Sequence, residues 1–233
     1  MRMLAKDLRD AVLQAAVSGR LSVRKLDERA EDVFYLIEKE CEQLNIEPRT
    51  GIASANDQDD LQYPFIIPQN WVWIRFENIL KIQPSNGKSV RENANGKIKN
   101  LSLSATTSGY FDESAVKMVD FDDDTAQKFY LKKNDILIQR SNSRELVGTS
   151  CIYEGEDNQF VYPDLMMRMH LFDAIDVHYV DFVLKSPLTR EYYSKAAIGT
   201  SESMPKINQK TVKNTWIPLP PIEEQKRIVE KLN

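Results

Sequence analysis

The sequence predicts an α+β fold in which a mixed sheet is flanked by N-terminal helices and followed by the start of a long C-terminal helix. Helical periodicity covers much of the first 44 residues, strand-like segments begin after residue 63, and helical patterns return after residue 177. Because the strands are grouped before the helices of the body, the order of elements is typical of an α+β architecture.

Length and composition indicate a packed protein with one sizeable domain and attached helices. The chain has 233 residues, of which 42% are hydrophobic and 28% are charged, so a core is expected and disorder is not. No apolar run approaches the ~18 residues that a membrane span needs, and the N-terminus lacks the apolar stretch of a signal peptide. Cys41 and Cys151 lie far apart without metal-type spacing. We expect a reduced cytoplasmic protein with no membrane partner.

Two amphipathic helices are predicted in the N-terminal region, residues 1–47. The predicted bounds of the two helices and of the polar linker after them are 3–18, 28–44 and 48–62. Gly19 is a natural stop for the first helix, and Asp27 is a candidate N-cap for the second.

Residues 63–218 are predicted to form the mixed body. Runs rich in β-branched and aromatic residues predict strands at 71–76, 135–140, 149–153 and 159–163. Helical patterns cover 177–185, 187–197 and 208–214. Ser186 and Pro187 have the residue types of a helix start, and Asn208 can cap the last of these helices.

The last segment, residues 219–233, is predicted to begin a helix after Pro220 and Pro221. Its apolar residues form the start of a heptad-like seam for a partner or dimer helix: Ile222, Ile228, Val229 and Leu232. A helix of about three turns is marginal alone. Either a partner covers the seam or the sequence stops inside a longer helix, and helix length favours the second alternative.

Motifs for catalysis and cofactor binding are missing from the sequence. It contains no glycine-rich phosphate loop and no Cys/His cluster of the zinc type. One alternative is a metal-dependent nuclease built on Asp164, Glu224 and Lys226. That chemistry needs the second acid and the lysine on a strand beside the aspartate, whereas a proline-started helix is predicted there. We therefore expect no catalytic residue, no metal and no cofactor.

The charge distribution matters more here than the formal net charge of −4. The segments 81–99 and 195–213 are basic and contain one acid each, whereas acidic residues are concentrated in 112–124. A binding surface needs only a local positive field, so this segregation is compatible with one face that binds phosphates. The alternative is ordinary solvated charge.

Residue types suited to DNA occur in three stretches, 139–144, 101–109 and 199–203. Arginine can pair bidentately with guanine and asparagine with adenine, while hydroxyls suit phosphate oxygens; the alternative is plain turn chemistry. The candidate DNA-binding residues are Lys88, Arg91, Lys97, Lys99, Ser104, Thr106, Gln139, Arg140, Ser141, Asn142, Ser143, Arg144, Thr200, Ser201, Lys206, Asn208 and Lys210.

The last 30 residues carry the most specific resemblance. The stretch MPKINQKTVKNTWIPLPPIEEQKRIVEKL resembles the end of a target-recognition domain that continues into the conserved helix of type I restriction–modification specificity subunits. Its IPLPP-x-EEQ-x-x-IV core is the distinctive part. Residues 8–21, 67–82 and 131–153 are similar to the family's N-terminal helix, domain opening and central strand with its loop.

This resemblance implies a target-recognition domain that reads one half of a split site in double-stranded DNA. In the family, modification subunits supply methyl transfer, the restriction subunit supplies cleavage, and the specificity subunit is a non-catalytic reader and scaffold. One recognition domain with a short final helix implies a fragment of a two-domain subunit or a half-subunit that dimerises. The alternatives are a helical scaffold without a DNA role and the nuclease.

Overall fold

The computed structural model describes residues 2–21, 25, 27–48, 52–54, 63–199 and 204–233. The chain divides into two compact units. We call residues 1–81, 171–191 and 213–233 the terminal unit, and residues 82–170 and 192–212 the central unit. Within the described part of the chain, no helix has the length and apolar character needed to cross a membrane.

The described residues contain helices and strands in the mixed order that the sequence predicts. The helices are α1 (Arg2–Val17), α2 (Glu31–Leu44), α3 (Asp123–Ala126), α4 (Val177–Lys185), α5 (Pro187–Ala196), α6 (Gln209–Lys213) and α7 (Ile222–Leu232). The strands are β1 (Ile52–Ser54), β2 (Val72–Arg75), β3 (Leu80–Asn86), β4 (Ile98–Leu101), β5 (Val116–Val119), β6 (Ile136–Gln139), β7 (Ser150–Ile152), β8 (Phe160–Val161), β9 (Met166–Leu171) and β10 (Trp216–Leu219). The α+β fold class is confirmed.

The terminal unit is built on a three-stranded antiparallel sheet in the order β1-β2-β10. Trp73, in the middle strand, is paired with Ala53 on one side and Pro218 on the other. Its indole is fully buried, and the ring of Phe65 lies edge-on with a centroid distance of 4.9 Å. Because aromatic side chains bury large apolar areas, this cluster anchors the sheet.

Two local predictions in the terminal unit are wrong. Helix α2 begins at Glu31 with Ala30 at its N-cap and no side-chain capping hydrogen bond, so Asp27 is not the cap. The expected linker contains strand β1, which pairs with the edge of β2. Backbone pairing with a distant strand leaves no signal in a polar segment, so the sequence could not show it. The other residues of the linker between 49 and 62 lie outside the described residues.

The seam of α7 is covered within the chain. Ile228 is fully buried and Val229 is nearly so, and α7 packs on α4 within the terminal unit. Ile222 and Leu232 are half-buried. The assignment of the four seam residues to a partner or dimer helix is therefore corrected for Ile228 and Val229, which are already buried within the chain, as the apolar face of an amphipathic helix usually is.

The central unit contains two sheets. The four-stranded sheet has the order β3-β9-β6-β7, and β6 pairs antiparallel with both β7 and β9. The three-stranded sheet has the order β5-β4-β8, in which β4 is antiparallel to β5 and parallel to β8. All four residues of β6 are buried, as expected for an inner strand. The β6 strand is therefore a rigid base for the polar loop that follows it.

The helix starts predicted after residue 177 are confirmed. Helix α5 begins at Pro187, and α6 begins directly after Asn208. The side chain of Asn208 accepts hydrogen bonds from the backbone N–H and the hydroxyl of Thr211, at 2.8 and 3.1 Å. These signals are local capping interactions, so they can be recognised without tertiary information.

Candidate nucleic-acid interface

The loop after β6, residues 140–149, is closed by two backbone hydrogen bonds at its base. The N–H of Gly148 donates to the carbonyl of Gln139 at 2.7 Å, and the N–H of Gln139 donates to the carbonyl of Thr149 at 2.9 Å. Both ends of the loop are thus held by the inner strand. A polar loop on a rigid strand is the arrangement in which binding residues are commonly presented.

The buried side chain of Gln139 holds the start of the loop through hydrogen bonds. Its side chain is fully buried, and its Nε2 donates to the Leu103 carbonyl and to the hydroxyls of Thr106 and Thr107, at 3.0, 2.9 and 3.0 Å. Its Oε1 accepts a bond of 2.7 Å from Asn142. Gln139 and the buried Thr106 are therefore unavailable to DNA, which corrects the expectation of direct contact. They orient Asn142 instead.

The guanidinium of Arg144 binds backbone carbonyls at the end of α5. Its Nη1 donates to the carbonyls of Ser194 at 2.8 Å and Ala197 at 3.4 Å, and its Nη2 donates to the carbonyl of Gly199 at 3.2 Å. The last carbonyls of a helix lack intrahelical partners, and a cation satisfies them well. Arg144 thus braces the loop against α5, and because the residue is exposed, its contact with DNA stays a prediction.

Gly148 allows the loop to approach α5 closely. Its φ of 76° lies in the left-handed region, which residues with a Cβ disfavour. A Cβ at this position would lie 2.4 Å from a ring carbon of Tyr193, which is itself fully buried. The loop and α5 are therefore in direct contact within the central unit.

A third segment, residues 204–208, lies alongside the loop. Lys206 forms antiparallel bridges with both Ser141 and Ile198, and the N–H of Ile207 donates to the carbonyl of Arg140 at 3.0 Å. The exposed side chain of Lys206 is thus placed next to the loop. Ser141 is buried, with its hydroxyl 3.4 Å from the Met204 carbonyl, so its expected DNA contact is also corrected.

Lys88 and Arg140 share one neighbour, the turn between β8 and β9. The N–H of Lys88 donates to the carbonyl of Tyr162 at 3.1 Å. The Nη1 of Arg140 lies 3.4 Å from the carbonyl of Asp164, whose carboxylate accepts from the hydroxyl of Ser89. Arg140 is half-buried and Lys88 is exposed. The turn therefore connects one residue of the basic segment with the loop after β6.

The other basic candidates lie on or before β4. Lys99 pairs with Phe160 of β8 in parallel register and places its Nζ 5.4 Å from the centre of that ring. Lys97 and Arg91 are exposed. In the described part of the central unit, no side-chain hydrogen bond joins these three residues to the loop after β6. They form a separate group of charges on the three-stranded sheet.

Acidic residues accompany the basic group on the three-stranded sheet. Thr125 donates hydrogen bonds to Asp122 from its hydroxyl and its backbone N–H, and these bonds lower the pKa of that carboxyl, with a smaller contribution from the charge of Lys88. Glu92 lies 3.6 Å from Lys117. The local field of this group is therefore mixed in sign, whereas the charged residues of 204–210 are all basic.

The remaining candidates divide by exposure. Ser104, Ser143, Asn208 and Lys210 are exposed, and Asn142 is half-buried. Thr200 and Ser201 lie outside the described residues. We define the candidate face as the exposed and half-buried residues of 140–144 and 204–210. Sequence reasoning does not reveal that Met204 within this face and Ile198 beside it are exposed, because an apolar residue carries no sign of exposure in sequence alone.

The second acid and the lysine of the nuclease alternative lie on a helix. Glu224 and Lys226 lie on helix α7, and the buried carboxylate of Glu224 accepts hydrogen bonds from Trp71 and Asn70. In the described part of the chain, no group of three or more His, Cys, Asp and Glu residues could hold a metal ion. Because such a nuclease needs these two residues on a strand, their position on α7 does not support the nuclease alternative.

One other buried acid has a structural network. Asp135 is fully buried, and its carboxylate lies 2.9 Å from Nδ1 of His170 and 3.7 Å from the guanidinium of Arg168. It also accepts a bond of 2.7 Å from the N–H of Lys132. Buried carboxylates require such partners, so the group ties β9 to the start of β6.

The sequence is similar to those of known proteins. The chain is 26% identical over 238 residues to the type I restriction enzyme EcoEI specificity subunit of Escherichia coli, in a match that covers 97% of this chain and 39% of that protein. It is 29% identical over 180 residues to the putative type I restriction enzyme MjaX specificity subunit of Methanocaldococcus jannaschii, in a match that covers 72% of this chain and 40% of that protein. The chain thus spans about two fifths of the length of these relatives.

A solved structure shares the fold. The HsdS subunit from Thermoanaerobacter tengcongensis matches with a TM-score of 0.52 at 17% identity, over 99% of this chain and 46% of that chain. Residues 68–233 match the family model described as the type I restriction modification DNA specificity domain. Because that match includes more than half of the sequence, the chain belongs to the family of type I restriction modification DNA specificity domains.

Proposed function

We propose that this chain reads one half of a bipartite DNA sequence for a type I restriction–modification complex, in the cytoplasm, and has no catalytic role of its own. The family match and the names of the relatives support this proposal. The contact between the loop after β6 and the segment 204–208 is the observation that carries it. It brings polar side chains able to read bases next to a lysine, Lys206, that is able to bind phosphate.

The candidate face separates the two tasks of DNA recognition. Lys206 and Lys210 are exposed cations suited to phosphates, and their charge acts independently of the DNA sequence. Arg140 and Asn142 are half-buried and partly oriented by hydrogen bonds, as groups that read base edges should be. Ser143 is exposed, and its hydroxyl can form hydrogen bonds with either phosphates or base edges.

The bracing of this face supports a reader that is largely formed before it binds DNA. Gln139 holds Asn142 from below, and Arg144 ties the loop to α5. Because a preorganised surface loses less conformational entropy on binding, such bracing raises affinity without adding contacts.

The proposed partners are modification subunits and a restriction subunit, which the membership of the type I restriction modification family supports. In the terminal unit, Leu4 and Leu8 of α1 are 73% and 67% exposed. Exposed apolar side chains on one helix stripe suit a protein partner. A second recognition domain or a second copy of this chain would supply the other half-site, since one domain reads one half.

A salt series on DNA binding tests the phosphate contacts. We expect the affinity of the full chain, expressed with its modification subunit, to fall with salt. The slope of log affinity against log salt is negative, and its magnitude should fall by about 0.9 for each phosphate contact that a substitution removes. Lys206→Ala and Lys210→Ala should each reduce the slope. Lys128→Ala, at an exposed lysine after α3, is the matched control. No salt-dependent DNA affinity in any assembly state would favour a scaffold with no DNA role.

Methylation mapping tests base reading. DNA from cells that carry the complex should be methylated at one bipartite sequence, and Arg140→Ala should weaken specific binding by about 1–3 kcal/mol if its guanidinium contacts a base. An unchanged sequence and affinity in Arg140→Ala would remove this residue from the base-reading group.

A further inference from the structure

An exposed apolar residue lies beside the candidate face. Ile198 is 78% exposed, the largest value for a hydrophobic side chain among the described residues of the central unit, and Met204 is 46% exposed. Exposing such groups to water is unfavourable. Neither residue contributes to the core, so their apolar surface is available for a ligand.

The backbone holds Ile198 in a fixed position. Its N–H donates to the carbonyl of Lys206 at 3.0 Å and its carbonyl accepts from the N–H of Lys206 at 2.9 Å. The residues before and after it, Ala197 and Gly199, have their carbonyls bound by Arg144. Ile198 is therefore held by its pairing with Lys206, which also bridges to Ser141 of the loop after β6.

The two chain segments that pair at Ile198 carry lysines. The described residues of 192–199 and 204–210 include Lys195, Lys206 and Lys210 and no acidic residue; Glu202 lies outside the described residues. An apolar protein surface would gain little from these lysines. DNA matches it, because phosphates line the groove and the methyl group of thymine is the apolar feature that the major groove displays.

We propose that Ile198 contacts the 5-methyl group of a thymine in the major groove and thereby sets a preference for an A·T pair with one orientation in the half-site. This inference rests on the proposed function and deepens it. Its sequence signature would be one position of the half-site at which thymine is favoured over cytosine, since the two pyrimidines differ there in the methyl group and the exocyclic group.

Selection from a random duplex library tests the contact. The full chain with its modification subunit is used to enrich sequences from a library of random duplexes about three turns long, in parallel with Ile198→Ala. Ile66→Ala, which removes an isoleucine that is 83% exposed in the terminal unit, is the matched control. We expect the wild type and the control to enrich one motif, and Ile198→Ala to lose the preference at one thymine position.

Replacing that thymine by deoxyuridine removes only the methyl group. We expect wild-type binding to weaken by about fourfold, the effect of exposing one buried methyl group, and Ile198→Ala to bind both duplexes equally. A motif unchanged in Ile198→Ala, a uniform loss at every position, or equal wild-type binding to both duplexes would overturn the contact but leave the proposed function intact. Loss of the modification subunit from Ile198→Ala with an unchanged motif would also overturn it. No enrichment by the wild type would overturn the proposed function itself.

Discussion

Trp71 and Glu224 are joined by a hydrogen bond of 3.0 Å from the indole Nε1 to a carboxylate oxygen that is fully buried. The same oxygen accepts a bond of 3.2 Å from Asn70. The next residue along α7, Gln225, is also fully buried, accepts from the N–H of Asp176 and donates to the carbonyl of Pro220. The Glu-Glu-Gln stretch that makes the sequence recognisable thus has a structural role in connecting α7 to the rest of the terminal unit.

Glu224→Ala should destabilise the chain by about 2–4 kcal/mol, because the indole N–H and the amide of Asn70 would lose a charged acceptor in a dry site. Glu224→Gln keeps the shape and one acceptor oxygen, so its cost should be smaller. Urea unfolding monitored by tryptophan fluorescence measures the free energy of unfolding of both variants. Equal stability of Glu224→Ala and the wild type would show that the two hydrogen bonds contribute nothing net.

Local signals are enough to predict the helices after residue 177. Pro187 and Asn208 each mark a helix start through interactions within four residues. Strand β5 is not predicted, because it has four residues of which one is buried, and its place beside β4 is set by tertiary pairing. The parallel pairing of β4 with β8 is equally long-range. Contacts distant in sequence therefore account for the elements that the sequence does not reveal.

In the candidate site, too, local features could be predicted from the sequence and tertiary contacts could not. The sequence indicates a polar loop after β6, and the structure has one. Sequence reasoning cannot tell that the side chain of Gln139 points into the protein or that the guanidinium of Arg144 binds helix carbonyls. Arginine is suited both to guanine and to the end of a helix, so only the location of α5 distinguishes the two roles.

Arg144→Ala should loosen the segment that ends α5. Three carbonyls lose a cationic donor, so we expect a loss of about 1 kcal/mol in unfolding free energy and faster amide hydrogen exchange in residues 192–199. DNA affinity should fall equally for all sequences, since a bracing residue does not touch bases. Arg144→Lys, which keeps the charge, should restore part of the stability. A changed base preference in Arg144→Ala would instead indicate direct base contact.

Gly148→Ala should destabilise the central unit by about 1–3 kcal/mol. The new residue would have to adopt a left-handed backbone, and its Cβ would overlap the ring of the buried Tyr193. Gly155→Ala is a useful comparison, because its Cβ would also overlap a buried tyrosine, 2.6 Å from the hydroxyl of Tyr153, but without a positive φ. Chemical denaturation of the two variants gives the comparison. A smaller loss for Gly148→Ala than for Gly155→Ala would show that the loop and α5 can separate at little cost.

Glu28 and Arg227 form an ion pair through both carboxylate oxygens in the terminal unit, with 3.0 Å between Nη1 and Oε1. The hydrogen bond from Arg227 lowers the pKa of Glu28, and burial opposes it in part. Because the folded pKa is below the unfolded value, the pair stabilises the fold fully above the unfolded pKa and loses its effect as pH falls through the folded pKa.

Glu28→Gln should therefore be less stable than the wild type at pH 7 by about 0.5–1 kcal/mol, as expected for a partly exposed pair, and the difference should vanish in acid. Urea unfolding between about pH 7 and about pH 3 measures this difference in stability, since an unperturbed glutamate has a pKa of about 4.3. Glu223→Gln is the matched control on α7, because Glu223 pairs with Lys226 where both side chains are more than half exposed, so its effect should be smaller at every pH. If the deficit of Glu28→Gln stayed constant into acid, it would have to come from packing, since protonation of the wild-type carboxylate removes only the charge-dependent part.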